Sequence, residues 1–540
     1  MRVLSLAVLL ALSVVALPGG QTAVPDHVRR AAEAITAERL SKDLAFLSAD
    51  ELRGRNTPSA GFDTAADFVA RRLEKAGVKP LGDNGTYYQH YEMHESRVNP
   101  GSTYLEVGGK RFAFGRDVVM RSFAKEVSGS RPAVYVGHGW SIPGKSIDPF
   151  AGLDLKGKLV IAHGPRAQPK GIDVRQIGRV TPGATSVVAE AARRGAAAVI
   201  YIPQATALST WEQMAGQNLT RKELVPSVPS AYAAAPATSV LVSREATEAM
   251  FAGERSSGAE ILALGDGGEY PASFDLLKPI ELRVGAETTV HRPYNVVGVV
   301  EGSDPMLKGQ YITIASHLDG AVGTRTVGGD DVYNSADDNA SGSAANLAIA
   351  ESIGALRPQR SLIFIWDSGE EQGLWGTRHF VGHPPVPLER IVAHINIDMI
   401  GANRTAGSPD AEETRVTGPN EVLLIGPAVL SDRANALLND VNDSYLKLSY
   451  DRSWDTPERE FFYPRTDAGP FLERGILTIG FTTGIHARYH LPADEAKALD
   501  PNKMEKITRT IFASLWALAD TKQPPGIDKS IPPTVPRYDR

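Results

Sequence analysis

The sequence contains no cysteine among its 540 residues. Disulfide bonds, thiolate metal ligands and lipid attachment through a cysteine are therefore excluded. Any bound metal ion must be held by His, Asp and Glu side chains. A chain of this length can bury enough apolar surface to fold without disulfide bonds.

Long basic runs are also lacking, and the formal net charge is −6. This argues against nucleic acid or an anionic membrane surface as a partner. The one long apolar run, Val3 to Leu17, follows an early arginine and precedes proline, glycine and small polar residues. It is shorter than the ~20 residues of a membrane span and predicts a signal peptide over residues 1–23, cleaved near Ala16 or Ala23. We therefore expect a periplasmic or secreted protein with no stable membrane anchor after cleavage; the alternative is an uncleaved anchor.

The remaining chain changes character along its length. Residues 29–78 carry apolar side chains at three- and four-residue spacing, which predicts helices. From about Phe112, short apolar strands are bounded by Gly and Pro. From Tyr294 onward, strand and helix patterns alternate. This alternation predicts an α/β fold with a mainly parallel central sheet and helices on both faces.

Polar residues of the metal-binding types follow the predicted strands of this second half. A Glu-Glu pair such as the one in "LIFIWDSGEE" is, by itself, usually a solvated turn. Ligand sites in open α/β sheets, however, lie at the carboxyl ends of the strands. The residues found there are His317, Asp319, Glu370, Glu371, Asp398 and His490, and a Gly-rich loop adds Asp337 and Asp338. Chance placement could explain one or two of these residues but hardly the whole set.

Histidine and carboxylate side chains without cysteine suit zinc or a related divalent ion. Two such ions ~3.5–4 Å apart usually share a bridging carboxylate, as in many hydrolases. A carboxylate that binds neither ion could then take a proton from a metal-held water. This predicts different roles for the two adjacent glutamates: one binds metal and the other acts as the base.

Five motifs in this region resemble one family, the co-catalytic di-zinc exopeptidases. The motifs "SHLDG", "SADDNASG", "SGEEQGLWG", "NIDMIG" and "RYHLPADE" occur in the order and spacing of that family. It includes secreted bacterial leucyl aminopeptidases, vacuolar aminopeptidase Y and glutamate carboxypeptidase. The segment "LAFLSADELRGRNTPSAGFDTAADFVARRLEKAGVKPLG" resembles the opening helices of the same catalytic domain. The β-rich segment after it resembles an inserted protease-associated domain.

Together with the predicted signal peptide and the proline-rich end of the chain, the resemblance divides the sequence into five segments, and it implies two zinc ions per chain. The segments are a signal peptide (1–23), the N-terminal part of the catalytic domain (24–115), an inserted protease-associated-like α/β domain (116–284), the main catalytic segment (285–522) and a proline-rich tail (523–540). Carried over residue by residue, the resemblance implies these roles: His317 and Asp398 bind the first zinc, Glu371 and His490 bind the second, Asp338 bridges both, and Glu370 is the general base. It also implies that Asp319 accepts the second ring N–H of His317 and that Tyr489 donates to the developing oxyanion.

Several of these roles have alternatives. Asp337 could be the bridge instead of Asp338, Asp319 could be a turn residue, and Tyr489 could serve packing alone. His486 could lie behind the ligands or at the surface. His379, His383 and His394 are read as structural, and the Asn218 sequon as unused. The segment "RTDAGPF" departs from the family, because Ala468 stands where relatives carry a larger side chain near the substrate pocket.

The implied function is that of an exported zinc-dependent aminopeptidase acting on peptides through a metal-bridging water. A carboxypeptidase or dipeptidase on the same scaffold is the first alternative. It would clamp a substrate carboxylate with arginines, for which Arg325, Arg452 and Arg465 are available. A glutaminyl cyclase or a non-catalytic binding protein is less well supported, because all five ligands and the base are present. The sequence does not indicate an oligomeric state.

Overall fold

A computed structural model describes most of the chain. The described residues are 24–164, 167–172, 183–219, 222–226, 237–323, 326–354, 356–405, 407, 415–457 and 465–533. The predicted signal peptide, Arg325 and the end of the predicted tail lie outside them. These residues divide into two compact units. One comprises the described chain up to Gln89 and from Tyr294 onward, here called the larger unit, and the other is His90–Pro293, the inserted unit.

The N-terminal part of the larger unit is helical, as the apolar spacing predicts. It contains α1 (Asp26–Ala32), α2 (Ala37–Leu47), a 3-10 segment (Asp50–Arg55), α3 (Ala60–Lys75), and the short strands β1 (Lys79–Pro80) and β2 (Tyr88–His90). Thr36 and Ser59 cap α2 and α3 by accepting backbone N–H groups of the first turn. The apolar faces of these helices are buried in the core of the larger unit.

The inserted unit contains three sheets and five described helices. Its strands are β3 (Met93–Val98), β4 (Tyr104–Val107), β5 (Lys110–Ala113), β6 (Val118–Ser122), β7 (Ser130–Arg131), β8 (Ala133–Tyr135), β9 (Leu159–His163), β10 (Ala198–Ile202), β11 (Lys222–Pro226), β12 (Ser239–Val242), β13 (Phe274–Asp275), β14 (Ile280–Arg283) and β15 (Ala286–His291). Its helices are α4 (Val187–Arg193), α5 (Ala205–Leu208), α6 (Trp211–Asn218), α7 (Arg244–Met250) and α8 (Gly258–Asp266). A six-stranded sheet of order β13-β8-β9-β10-β12-β6 carries its two main apolar clusters.

The inserted unit is wider than the segment 116–284 expected from the sequence. Strand β3 pairs with β11 and β15, and β4 pairs with β14. These pairings join residues between 125 (Arg97 with Lys222) and 198 (Met93 with His291) positions apart, so the strands before residue 116 belong to this unit. The boundaries at 115/116 and 284/285 therefore differ from the divisions of the structure at Gln89/His90 and Pro293/Tyr294.

The C-terminal part of the larger unit alternates strand and helix. Its elements are β16 (Tyr294–Val300), β17 (Tyr311–His317), α9 (Gly342–Ile353), β18 (Ser361–Asp367), α10 (Trp375–Gly382), β19 (Ile391–Ile397), β20 (Glu421–Ile425), α11 (Pro427–Leu430), α12 (Asp432–Ser444), β21 (Ser449–Asp451), α13 (Ala468–Glu473), β22 (Leu477–Thr482) and α14 (Pro501–Asp520). A single π turn, Ala336–Ser341, leads into α9. Among the described helices, none combines the length and apolar character that crossing a membrane requires.

These strands form one sheet of order β1-β16-β18-β17-β19-β22-β20-β21, with β2 beside β16. The four central strands β18, β17, β19 and β22 are parallel. Strand β16 runs antiparallel to β18, and β20 runs antiparallel to β22 but parallel to β21. Side chains alternate between two apolar clusters, one shared with α9 and α14 and the other with α10 and α13. The α/β fold with helices on both faces is confirmed, and the carboxyl ends of the central strands meet at one edge.

Candidate metal centre

The predicted ligands lie together at this edge because neighbouring strands deliver them. Strand β17 ends at His317, and Asp398 follows β19 by one residue. The turn after β18 carries Glu370 and Glu371. Asp338 lies in the π turn before α9, and His490 lies in the loop after β22.

Two groups of ligand atoms share one carboxylate. The Nε2 atom of His317 lies 3.2 Å from Oδ1 of Asp338 and 3.4 Å from Oδ1 of Asp398. The Nε2 atom of His490 lies 3.2 Å from Oδ2 of Asp338 and 2.9 Å from Oε2 of Glu371. Each oxygen of Asp338 therefore faces a different imidazole. This is the arrangement of a carboxylate that bridges two ions.

The donor set fits a pair of divalent cations. Within the described part of the chain, Nε2 of His317, Oδ1 of Asp398 and Oε1 of Glu371 are buried and have no hydrogen-bond partner. Buried polar atoms are normally satisfied, so three such atoms within the two ligand groups call for a ligand. Two imidazoles and three carboxylates supply the nitrogen and oxygen donors that zinc accepts in proteins.

Charge in the site shifts the pKa values strongly. Burial alone would lower the pKa of His317, but the carboxylates of Glu370, Asp338 and Asp398 raise it well above its usual range. For His490, Asp338 and Glu371 likewise outweigh burial and raise the pKa to about 10. Burial, together with the charge of Asp338, raises the pKa of Glu371 to about 8. Without metal, these groups hold protons that cations would displace.

Asp319 differs in one respect from the role that the resemblance implies. The Nδ1 atom of His317 lies 3.0 Å from the backbone oxygen of Asp319, whereas the carboxylate is 4.0 Å away. The carboxylate instead accepts the backbone N–H groups of Glu370 at 3.1 Å and Glu371 at 3.4 Å. Asp319 therefore orients the imidazole through its main chain and the glutamate turn through its side chain.

Tyr489 stacks on His490, with ring centroids 3.7 Å apart. Burial and the surrounding carboxylates raise the pKa of its hydroxyl. The hydroxyl thus stays protonated and able to donate a hydrogen bond.

Asp337 is turned away from the two ligand groups. Its Oδ1 accepts the N–H of Gly401 at 2.7 Å, and its Oδ2 lies 3.2 Å from Nε2 of His486. His486 is buried. Of the two positions expected for it, behind the ligands or at the surface, the structure shows the first. The carboxylate of Asp494 accepts the N–H groups of both Asp337 and Asp338 at 3.1 Å. The geometry thus favours Asp338 over Asp337 as the shared carboxylate.

The other singled-out residues have separate surroundings. His394 stacks on Phe471 at 3.8 Å, and His379 stacks on His383 at 4.6 Å. The Asn218 side chain is buried and hydrogen-bonded to the backbone of Met120.

Ala468 lines a pocket of about 20 Å³ beside Asp398. The remaining lining includes Ile425, Thr466 and Phe481.

Sequence reasoning gave no role to two buried aspartates beside the site, Asp367 and Asp467. Thr377 donates its hydroxyl to Asp467, and burial raises the pKa of this carboxyl to about 7. Among the described residues, both carboxylate oxygens of Asp367 are buried without a hydrogen-bond partner, and burial and Asp467 raise its pKa. The only signal in the sequence is the position of Asp367 at the end of an apolar strand. Arg55, from the N-terminal "ELRGRN", was also given no role.

Comparisons with known proteins find similarity to peptidases. The model of "Peptidase family M28" matches residues 295–515. An "Aminopeptidase" of Pseudomonas aeruginosa is 29% identical over 35% of this chain and 31% of its own length. "Leupeptin-inactivating enzyme 1" of Streptomyces exfoliatus is 32% identical over 25% of this chain and 30% of its own. The chain thus spans about a third of the length of these curated relatives.

A solved structure supports the fold over nearly the whole chain. The aminopeptidase from Aneurinibacillus sp. strain AM-1 superimposes with a TM-score of 0.51 and 17% identity, covering 95% of this chain and 100% of that one. At this identity the likeness concerns the fold alone. The matched segment 295–515 contains all five candidate ligands and Glu370. This segment is therefore similar to peptidase family M28, in agreement with the resemblance of its five motifs to the co-catalytic zinc exopeptidases.

Proposed function

We propose that this protein is a zinc-dependent aminopeptidase that hydrolyses the N-terminal peptide bond of peptides. One observation carries the proposal: the two oxygens of Asp338 face His317 and His490, each at 3.2 Å. His317 and Asp398 would hold one zinc, and Glu371 and His490 the other. The names of the curated relatives, which are mostly aminopeptidases, support the same reaction.

The roles of the surrounding residues follow from their positions. When bound, zinc would polarise the scissile carbonyl and lower the pKa of a bound water. Glu370 adjoins a ligand but belongs to neither ligand group, which leaves its carboxylate available. It would take a proton from the attacking water and pass it to the leaving amine nitrogen. The Tyr489 hydroxyl would donate to the oxyanion that forms on the carbonyl.

A carboxypeptidase or dipeptidase is the second candidate. It would need an arginine to hold a substrate carboxylate. Arg452 already donates to Asn435 and Asn439 and lies 3.4 Å from Asp455, so its use would break these contacts. This observation counts against Arg452 as the residue that would hold a substrate carboxylate.

The test is the release of p-nitroaniline from leucine p-nitroanilide, with and without an N-acetyl block. The assay is run on the protein as purified, after chelation, and after zinc is added back. Zinc-restored activity on the free-amine substrate alone is the expected result. Activity on neither substrate, with two zinc ions found by elemental analysis, would favour the carboxypeptidase or dipeptidase. No activity and no bound metal would contradict the whole proposal.

Export and the character of the inserted unit form part of the proposal. Residues 1–23 would be removed, and His90–Pro293 would be a protease-associated-type domain inserted into the peptidase. Expression of the full chain in a bacterial host and N-terminal sequencing of the periplasmic or secreted product test the cleavage. A product that retains Met1 and stays in the membrane fraction would contradict it.

A further inference from the structure

Arg55 is fully buried although it carries a charge, with 0% of its surface exposed. It ends the 3-10 segment Asp50–Arg55, directly after Gly54. Gly54 has a φ of 77°, and a Cβ atom there would lie 2.3 Å from the Tyr333 carbonyl oxygen. Only glycine therefore lets this segment pass so close to the loop that precedes Asp338.

The hydrogen bonds of the Arg55 guanidinium all go to backbone carbonyls. Nε donates to Leu318 at 2.8 Å, Nη1 donates to Asn334 at 3.0 Å, and Nη2 donates to Ser335 at 3.0 Å. A further bond from Nη1 reaches the carbonyl of Leu47. Buried arginines usually pair with carboxylates. Arg55 is instead held by hydrogen bonds to main-chain carbonyl groups.

The segments that Arg55 joins are those that carry metal ligands. Leu318 directly follows His317, and Ser335 precedes Asp338 by three residues. One planar guanidinium thus fixes the end of β17 against the loop before α9. A lysine could not do so, because its single ammonium lacks the fork of donors.

The charge of Arg55 also faces the site. Burial lowers the pKa of its guanidinium to about 10, while Asp319, Asp494, Asp338 and Glu371 act to raise it. Arg55 is therefore a cation at neutral pH, and these four carboxylates are its nearby anionic groups.

We propose that Arg55 is a positioning residue of the metal centre, which sets the separation of His317 from the shared carboxylate of Asp338. The inference rests on the proposed metal-dependent function. A cation acting only by its charge would repel zinc, and its removal would then strengthen zinc binding. A residue that positions the ligands has the opposite effect, because its removal lets the two loops separate.

Two variants and one control separate these effects. Arg55→Met removes the charge and the fork, whereas Arg55→Lys keeps the charge and the stem and is the variant most compatible with folding. Arg360→Lys is the matched control. Arg360 is also 0% exposed and donates to the carbonyls of Ala519 and Thr521, but it lies before β18, at the opposite end of the strand from the glutamates.

Zinc dissociation constants of the full chain are measured by competition with a chromogenic chelator, and folding of the zinc-free protein is followed by circular dichroism and thermal unfolding. Both Arg55 variants should bind zinc at least tenfold more weakly than wild type. Arg360→Lys should lose thermal stability and keep wild-type zinc affinity. Tighter zinc binding by Arg55→Met, or wild-type zinc affinity in folded Arg55→Lys, would overturn this inference and leave the proposed function unaffected. A wild-type chain that binds no zinc would overturn the proposed function as well.

Discussion

Two pairs of histidines, one in each unit, show how surroundings decide what an imidazole can do. In the larger unit, His317 and His490 face carboxylates at 2.9–3.4 Å. In the inserted unit, His163 lies 3.0 Å from the Tyr135 hydroxyl, and His138 packs against the ring of Tyr270. The residue type is the same, but the neighbours are anionic in one pair and aromatic in the other.

The pKa values follow this difference in opposite directions. Burial lowers the pKa of His138 and of His163 to about 4, so both imidazoles are neutral at physiological pH. At His490 the effect of burial is outweighed by Asp338 and Glu371. Histidines among aromatic neighbours therefore indicate packing, whereas histidines among several carboxylates indicate a cation site.

The largest expected effect is that of Asp338→Ala. Because Asp338 faces both imidazoles, its loss should remove both zinc ions together and reduce activity to background. Elemental analysis of the purified variant measures the metal content. His163→Gln in the inserted unit is the control and should keep two zinc ions. A variant that lost Asp338 but retained two zinc ions would contradict the bridging role.

The next effect is that of Glu370→Gln, which should keep both zinc ions and lower kcat by ~10²–10⁴-fold, the usual contribution of a general base. Glutamine keeps the shape of the side chain but cannot accept the proton. Steady-state kinetics and metal analysis are carried out on the same preparation. Turnover like that of wild type would remove Glu370 from the mechanism and leave the metal centre intact.

A smaller effect is expected from Tyr489→Phe. Phenylalanine keeps the ring stacked on His490 and removes only the hydroxyl, so zinc affinity should be unchanged. Loss of one oxyanion donor should lower kcat by ~10²-fold. An unchanged kcat would show that Tyr489 serves packing alone.

The sequence predicted those parts of the site that depend on residue type and spacing. The ligands follow strands that are recognisable in the sequence as apolar runs. Because these strands are adjacent and parallel, their carboxyl ends lie at the same edge of the sheet. The part it could not predict depends on the course of the backbone. The bonds of Arg55 go to carbonyls, which every residue carries, and Asp319 orients His317 with its own carbonyl oxygen. The inserted unit begins at His90 because β3 pairs with β15, a partner that local pattern cannot identify.

The last expected effect concerns the stability of the inserted unit at acid pH rather than activity. The pKa of His163 is about 4 in the fold against an ordinary value of 6.5. Between these values the unfolded chain binds a proton that the folded unit does not, so the free energy of unfolding rises with pH across this window. The contribution is complete above pH 6.5 and is lost as the pH falls toward 4, on the order of 3 kcal/mol at 1.36 kcal/mol per pKa unit.

His163→Gln removes one of two titrating groups, because the pKa of His138 is also about 4, and should therefore reduce the slope of this pH dependence without abolishing it. Amide exchange of peptides from the inserted unit, corrected for the intrinsic effect of pH and measured in the full chain, reports the local free energy of opening. Tyr135→Phe is the control, because it removes the hydroxyl but keeps a buried imidazole and therefore the slope. Equal slopes in His163→Gln and wild type would mean that His163 takes up its proton in the folded unit as readily as in the unfolded chain. The contrast between the two pairs of histidines would then fail, because burial without carboxylates would no longer keep an imidazole neutral.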